Sequence, residues 1–386
     1  MDFGDNPAEA AYRQRLREWL GQVLPGLGDR SNKRASLYRS AATRKWQRLL
    51  YDAGYIGQTW PREIGGQGLG PTFDFILNEE CALARAPSLP TNVNYLGRSI
   101  AAFGSAAQRD KFLQQTMSGD IHWCQGFSEP SGGSDLAGLR TRAVRDGDRY
   151  LVNGQKLWTS GAPDADWCFL LARTETGKPR HQSISVLLVD MRSPGIEPHN
   201  VRTTDGTEPT GSCFFDDVEV PAGNLLGLPG QGWEIAMSAL SYERGPADTG
   251  VLALVRRQVD ELTAEAVAAG TIEEPRVQRA LAAAYVQSEV LRLSALRQLS
   301  LRAAGRPAGP EAQVAKLLWS ATVQRIAHVG LEISGGSALT ASGDNVIGRY
   351  FESRHASVFG GTAQIQRNLL AQRGLGLPRS DRRPRE

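Results

Sequence analysis

Apolar positions recur at helical spacing through the first third of the chain. Over 8–23 they fall at Ala11, Leu16, Trp19, Leu20 and Val23, which predicts a helix that stops at Pro25-Gly26. The pattern repeats over 41–53 with Trp46, Leu49 and Leu50, ending at Gly54, and further helices are expected over 73–85, 94–104 and 106–117. Residues 60–71 form a glycine-rich connector. It holds neither GxGxxG nor a GK[ST] ending, so it reads as a structural turn and not as a phosphate loop.

Between Asp120 and about Leu228 the period changes. Residues 141–154 alternate, turn at Asp146-Gly147 and resume, which is a hairpin signal. Apolar runs over 166–173, 183–190 and 211–221 read as short buried strands. Many short strands with Gly and Pro turns imply a small antiparallel barrel or sandwich. From Gly232 helical spacing returns, over about 232–270, 276–304 and 310–334. The last two are separated by the Gly/Pro-rich 303–310, with Glu311 well placed at a helix start. Leu281, Tyr285, Val290, Leu293, Leu296 and Leu299 are expected to form a buried stripe. The expected division is a helical domain over 1–120, a β domain over 121–230 and a helical bundle over 231–386.

Composition narrows the function. With 41% hydrophobic and 22% charged residues, the chain has ample core for several domains. The net charge of +3 owes much to the tail at 379–386, and no other basic cluster points to nucleic acid. Cys81, Cys124, Cys168 and Cys213 are widely spaced without CxxC, which indicates neither a disulfide scaffold nor a zinc site. His122, His181, His199, His328 and His355 show no metal-ligand spacing. No long apolar segment implies a membrane span, and the acidic N-terminus lacks a targeting run, so the cytoplasm is the expected compartment. Rossmann, Walker and GxSxG patterns are missing, leaving nicotinamide and serine-hydrolase chemistry without support.

Two stretches carry the chemistry. Residues 123–138, WCQGFSEPSGGSDLAG, offer backbone N–H groups and hydroxyls at close approach. Residues 153–161, NGQKLWTSG, set Trp158 beside Thr159 and Ser160, an aromatic wall with hydrogen-bonders that suits a flat heterocycle. Both resemble the flavin-binding signatures of the acyl-CoA dehydrogenase family. The order helix, barrel, helix bundle is similar to that family over nearly the full length.

The resemblance implies an α+β fold with an N-terminal helical domain, a central antiparallel β-barrel and a C-terminal four-helix bundle. It implies FAD as cofactor, an acyl-CoA substrate and an electron-transferring flavoprotein as acceptor, with no nucleic-acid or membrane partner. The reaction implied is α,β-dehydrogenation to the trans-2-enoyl-CoA, in which a base takes the α-proton and flavin N5 accepts the β-hydride. Such a base must be a desolvated, well-aimed carboxylate. One family position for it, in a Tyr-Glu-Gly-Thr motif, corresponds here to Phe359-Gly360-Gly361-Thr362, where Gly360 has no side chain to take a proton. The other corresponds to Leu240-Ser-Tyr-Glu-Arg-Gly245 and puts Glu243 in the slot.

By the same resemblance, Gln125, Phe127, Ser128, Ser134, Trp158, Thr159 and Ser160 line the isoalloxazine and pyrophosphate. Thr362 and Gln364 meet the adenosine arm. Glu332, Gly335 and Gly336 match the segment that receives FAD from a neighbouring subunit. Ser134, Ser241, Arg244 and Gly361 are expected to contact substrate. Glu332 replaces the usual Gln, and residues 266–275 lack the family's Arg-x-x-Phe-Gly, leaving the phosphates to find charge in Arg276, Arg279 or another chain. A homo-oligomer (dimer or tetramer), or half of a heterotetramer similar to the paired subunits of bacterial sterol side-chain degradation, is implied. Two rivals remain: a nitrososynthase-like flavin monooxygenase on the same fold, and a non-catalytic partner subunit of a heteromeric dehydrogenase.

Overall fold

The computed structural model describes residues 4–27, 41–90, 93–243, 249–306, 309–340 and 346–378. They fall into two compact units, one from Pro7 to the end of the helix that closes at Glu243, the other from Thr249 onward together with residues 4–6.

The first unit begins with α1 (Pro7–Val23), α2 (Ala41–Asp52) and α3 (Pro71–Leu83). Leu16 and Leu20 of α1, Trp46 and Leu50 of α2, and Ile76 and Leu77 of α3 share one buried cluster, as the helical spacing requires. The 60–71 connector is a turn: Trp60 is fully buried, and a Cβ on Gly66 would sit 2.1 Å from the Trp60 carbonyl oxygen. A π-helical turn, Val93–Gly97, runs into α4 (Arg98–Phe103), and α5 (Ala106–Ser118) follows behind a Ser105–Gln108 capping box.

Eight strands come next: β1 (Trp123–Gly126), β2 (Arg142–Asp146), β3 (Arg149–Leu157), β4 (Trp167–Arg173), β5 (Ile184–Asp190), β6 (Ile196–Val201), β7 (Thr210–Pro221) and β8 (Leu225–Leu226). They form one sheet in the order β6-β7-β3-β2-β4-β5-β8, with β1 on β4. The β2–β3 hairpin turns at Gly147, whose φ of 60° only glycine adopts without strain. Most pairings are antiparallel; β1 departs from that, running parallel to β4 with Cys124 opposite Cys168. The chain between them contains the whole hairpin, long enough for a crossover. The sequence pattern missed β6, an edge strand with no buried position and Pro198 within it.

The unit closes with α6 (Gly232–Glu243). Ile235, Ala236 and Ala239 of this helix enter the main core beside Leu96, Ile100, Phe127, Phe169 and Leu188.

The second unit holds α7 (Thr249–Ala268), α8 (Pro275–Ala303), α9 (Glu311–Ser334), α10 (Val346–His355) and α11 (Ala363–Leu369). Of the helix expected over 232–270, α6 covers the part up to Glu243 and α7 the part from Thr249 to Ala268, and residues 244–248 lie outside the described residues. The expected stripe on α8 holds at Leu281 but not along the helix. Tyr285, Val290 and Leu293 are 44%, 44% and 46% exposed, and the core face is Val277, Leu281, Ala284, Ser288, Leu291 and Gln298. Small Ala284 and Ser288 on that face let α8 lie close to its neighbours.

Candidate functional site

In the first unit the site grows from the junction of β1 and β3. Gln125 is half-buried opposite Phe169, and Phe127 is buried. The N–H of Leu157 donates to the carbonyl of Ser128 at 2.9 Å, which brings the end of β3 against the segment leaving β1. Phe127, Ser128, Trp158, Thr159 and Ser160 thereby share one edge.

Trp158 is not a core residue. Its side chain is exposed, and its backbone lies at φ 62°, a conformation that costs an L-residue roughly 1–3 kcal/mol and persists where surroundings over-determine it. They do so here: Leu157 is tied to Ser128 and the N–H of Thr159 donates to the Gly211 carbonyl at 2.9 Å. Thr159 is buried, and its Oγ1 has no hydrogen-bond partner among the described residues. Ser128 and Ser160 are half-buried, while Ser134 is exposed on the loop between β1 and β2.

Two residues outside the sequence-based assignment hold this arrangement. Lys156 is completely buried and donates to Glu129 Oε1 at 2.9 Å and to the carbonyl of Phe127 at 3.1 Å. Glu129 also accepts the N–H groups of Arg140 and Thr141, at 2.6 and 2.9 Å. Burial opposes ionisation of Glu129, but the charge of Lys156 and the bonds from Thr141 outweigh it and lower its pKa. Burial lowers the pKa of the Lys156 ammonium as well, against the pull of Glu129, and we take the pair as ionised because the carboxylate has three donors. The signal was present in the sequence: Tyr150 and Val152 face inward along β3, and period two puts Lys156 on the same side.

Glu243 is the last residue of α6, and helical periodicity sets its position on the face of Ile235, Ala236 and Ala239. Ser241 is exposed and its hydroxyl donates to the Ser238 carbonyl. Arg244, and Gly245 after it, lie outside the described residues.

The second unit carries two further groups of expected contacts. In the first, Glu332 near the end of α9 is 3.7 Å from Arg276, which also pairs with Glu274 at 3.0 Å; Gly335 and Gly336 follow, exposed. In the second, Gly360 and Gly361 have φ of 62° and 96° and lead into Thr362, whose hydroxyl caps α11 by accepting the N–H of Ile365. Gln364 is exposed. This turn packs on the start of α9, where Lys316 donates to the Ala356 carbonyl at 2.7 Å and lies over the rings of Trp319 and Phe359. Lys316 and Glu332 are on one helix, and at 1.5 Å per residue about 24 Å separates them along its axis. The two groups do not converge within one chain.

Comparison with known proteins accounts for nearly all of the chain. Residues 6–120, 124–218 and 230–375 match the N-terminal, middle and C-terminal domain models of acyl-CoA dehydrogenase. The chain is 34% identical over 383 residues to acyl-CoA dehydrogenase IpdE1 of Mycobacterium tuberculosis, covering 95% of this chain and 97% of the relative. A solved structure of the Tcur3481-Tcur3483 steroid ACAD superimposes with a TM-score of 0.89 at 28% identity, covering 98% of this chain and 100% of that one. The ChsE4-ChsE5 complex from Mycobacterium tuberculosis gives a TM-score of 0.83 at 30% identity, covering 98% and 100%.

Proposed function

The chain belongs to the acyl-CoA dehydrogenase family, oxidoreductases that act on CH–CH bonds, and from that premise we propose that it converts an acyl-CoA thioester to the trans-2-enoyl-CoA with Glu243 as base and FAD as cofactor. The observation that carries the reading is the position of residue 243. It continues the face of α6 that Ile235, Ala236 and Ala239 bury, while Gly360, at the alternative base position, offers no proton acceptor. A base for this reaction needs a desolvated carboxylate, and residue 243 is the family position that this sequence fills with one.

The residues at the β1–β3 junction fit a flavin ring. They offer an exposed indole on a strained, doubly tethered backbone, hydroxyls on either side, and an orphaned buried hydroxyl at Thr159. A bound flavin supplies the acceptor for the β-hydride. Within this chain Trp158 orients the ring, Ser128 and Ser160 offer hydrogen bonds to its polar edge, and Ser134 meets the pyrophosphate and CoA. Glu243 carries the α-proton away on its carboxylate. An electron-transferring flavoprotein is the proposed acceptor of the electrons. Glycine at 360, where the family's alternative base would project, carries no side chain, which suits a branched or polycyclic acyl group. The steroid ACAD among the structural neighbours agrees with that class.

Anaerobic mixing of the flavin-loaded protein with straight, branched and steroid-like thioesters tests the reading. Bleaching of oxidised flavin is expected, and Glu243→Gln should slow it by about 10²–10⁴-fold. Turnover that needs O₂ and an external reductant, or bleaching at the normal rate in E243Q, would overturn it.

A further inference from the structure

A buried ion pair rarely stabilises a fold more than well-packed apolar residues of the same volume, so Lys156 and Glu129 need another reason to be charged. Their partners supply one. The Glu129 carboxylate reaches the backbone on the far side of its own loop, bonding the N–H groups of Arg140 and Thr141, and so closes the 129–141 loop that carries Ser134. Across the start of that loop the backbone of Glu129 exchanges hydrogen bonds with Gly132 at 3.1 and 3.0 Å. The ammonium of Lys156 bonds the same carboxylate and the Phe127 carbonyl, and the next residue, Leu157, holds the Ser128 carbonyl. Trp158 follows at once, in its left-handed conformation. One pair of side chains therefore sets the Phe127–Ser128 edge, the Ser134 loop and the approach to Trp158.

We propose that Lys156 and Glu129 are positioning residues that preorganise the flavin-contacting edge, acting from behind it through the backbone. The proposal rests on the flavoprotein reading above. A neutral hydrogen-bonded pair would lack the three ammonium donors and the paired carboxylate oxygens that reach these strands and loops together. An apolar pair would leave the N–H groups of Arg140 and Thr141 and the carbonyl of Phe127 to find other partners.

The test is the double variant Lys156→Met/Glu129→Gln, which removes both charges together and avoids stranding one in the core. Circular dichroism should report a folded protein. Flavin affinity should fall about tenfold or more, with a shift of the visible flavin band, because the contact edge is no longer preorganised. Unchanged affinity and an unchanged flavin spectrum in a folded double variant would overturn the proposal. A wild-type protein that takes up no flavin would instead remove the flavoprotein reading, and this inference with it. Should the double variant not fold, amide exchange in the wild-type holoprotein decides. The N–H groups of Arg140 and Thr141 must exchange more slowly than those of Ser131 and Gly133, and equal rates overturn the clamp.

Discussion

An ammonium stands beside the position where the C-terminal motif lacks a side chain: Lys316 Nζ is 4.0 Å from the place a Cβ on Gly360 would occupy. This gives the vacancy at Gly360 a measurable consequence. A glutamate introduced there meets two obstacles. It must adopt φ near 62°, at a cost of about 1–2 kcal/mol, and its carboxylate lies within reach of a cation that holds its pKa below the usual carboxylate range. A more acidic carboxylate is a weaker base. Gly360→Glu should therefore fail to restore flavin reduction to a Glu243→Gln protein, whereas adding Lys316→Met should raise the rate by about tenfold or more over that double variant. Stopped-flow reduction by an acyl-CoA reads the comparison, and rescue by G360E alone would show that Lys316 does not restrain the new carboxylate. The vacancy itself was legible from Phe359-Gly-Gly-Thr. Lys316, distant in sequence and recruited only by the packing of the 356–362 turn on α9, had no local signal.

Elements were readable where one side of them faces a core and unreadable where the context changes the rule. The spacing of Leu16, Leu20, Trp46 and Leu50 foretold α1 and α2 because each buries one large-residue stripe. On α8 the same reasoning held at Leu281 but misplaced Tyr285, Val290 and Leu293, since the buried face runs instead through Ala284, Ser288 and Leu291. β1 is a further case, short and apolar, entered through His122. That histidine is half-buried, with a buried Nε2 that has no partner among the described residues, and burial together with Arg44 pushes its pKa down to about 4. The unfolded chain holds a proton on this group below about pH 6.5 while the folded chain resists it until about pH 4. Its contribution to stability is thus complete above pH 6.5 and is lost as pH falls through that window, at no more than about 1.4 kcal/mol per pH unit. Urea unfolding between pH 4 and 7 should show this slope, and His122→Gln should flatten it. An identical slope in the variant would assign acid sensitivity to other groups.

At the scale of the whole molecule, few cations among the described residues stand free at the expected pyrophosphate contacts, and α8 exposes apolar surface. Residues 266–275 contain no Arg or Phe, and Arg276 is already held by Glu274 and Glu332. Arg279 is exposed and forms no ion pair among the described residues, but one cation is a poor match for two phosphates. Lys316, against which the Thr362 turn packs, and Glu332, just before Gly335-Gly336, lie about 24 Å apart along α9. On α8, Tyr285, Val286, Val290 and Leu293 leave apolar area exposed, the kind of surface a partner subunit covers. These features favour a hetero-oligomer in which a sister chain supplies an arginine and completes the cofactor site, and two structural neighbours, Tcur3481-Tcur3483 and ChsE4-ChsE5, are each named as a pair of chains. Expressed alone, the protein should carry well under one FAD per chain. Co-expression with a family member that has the Arg-x-x-Phe-Gly segment should bring the mixed assembly to a defined loading, and Val286→Glu/Val290→Glu should prevent that assembly while leaving the monomer folded. Flavin content by absorbance and mass by light scattering give both quantities in one preparation. Full loading of a homo-oligomer made from this chain alone would show that its own Arg279, or another cation of the same chain, neutralises the phosphates.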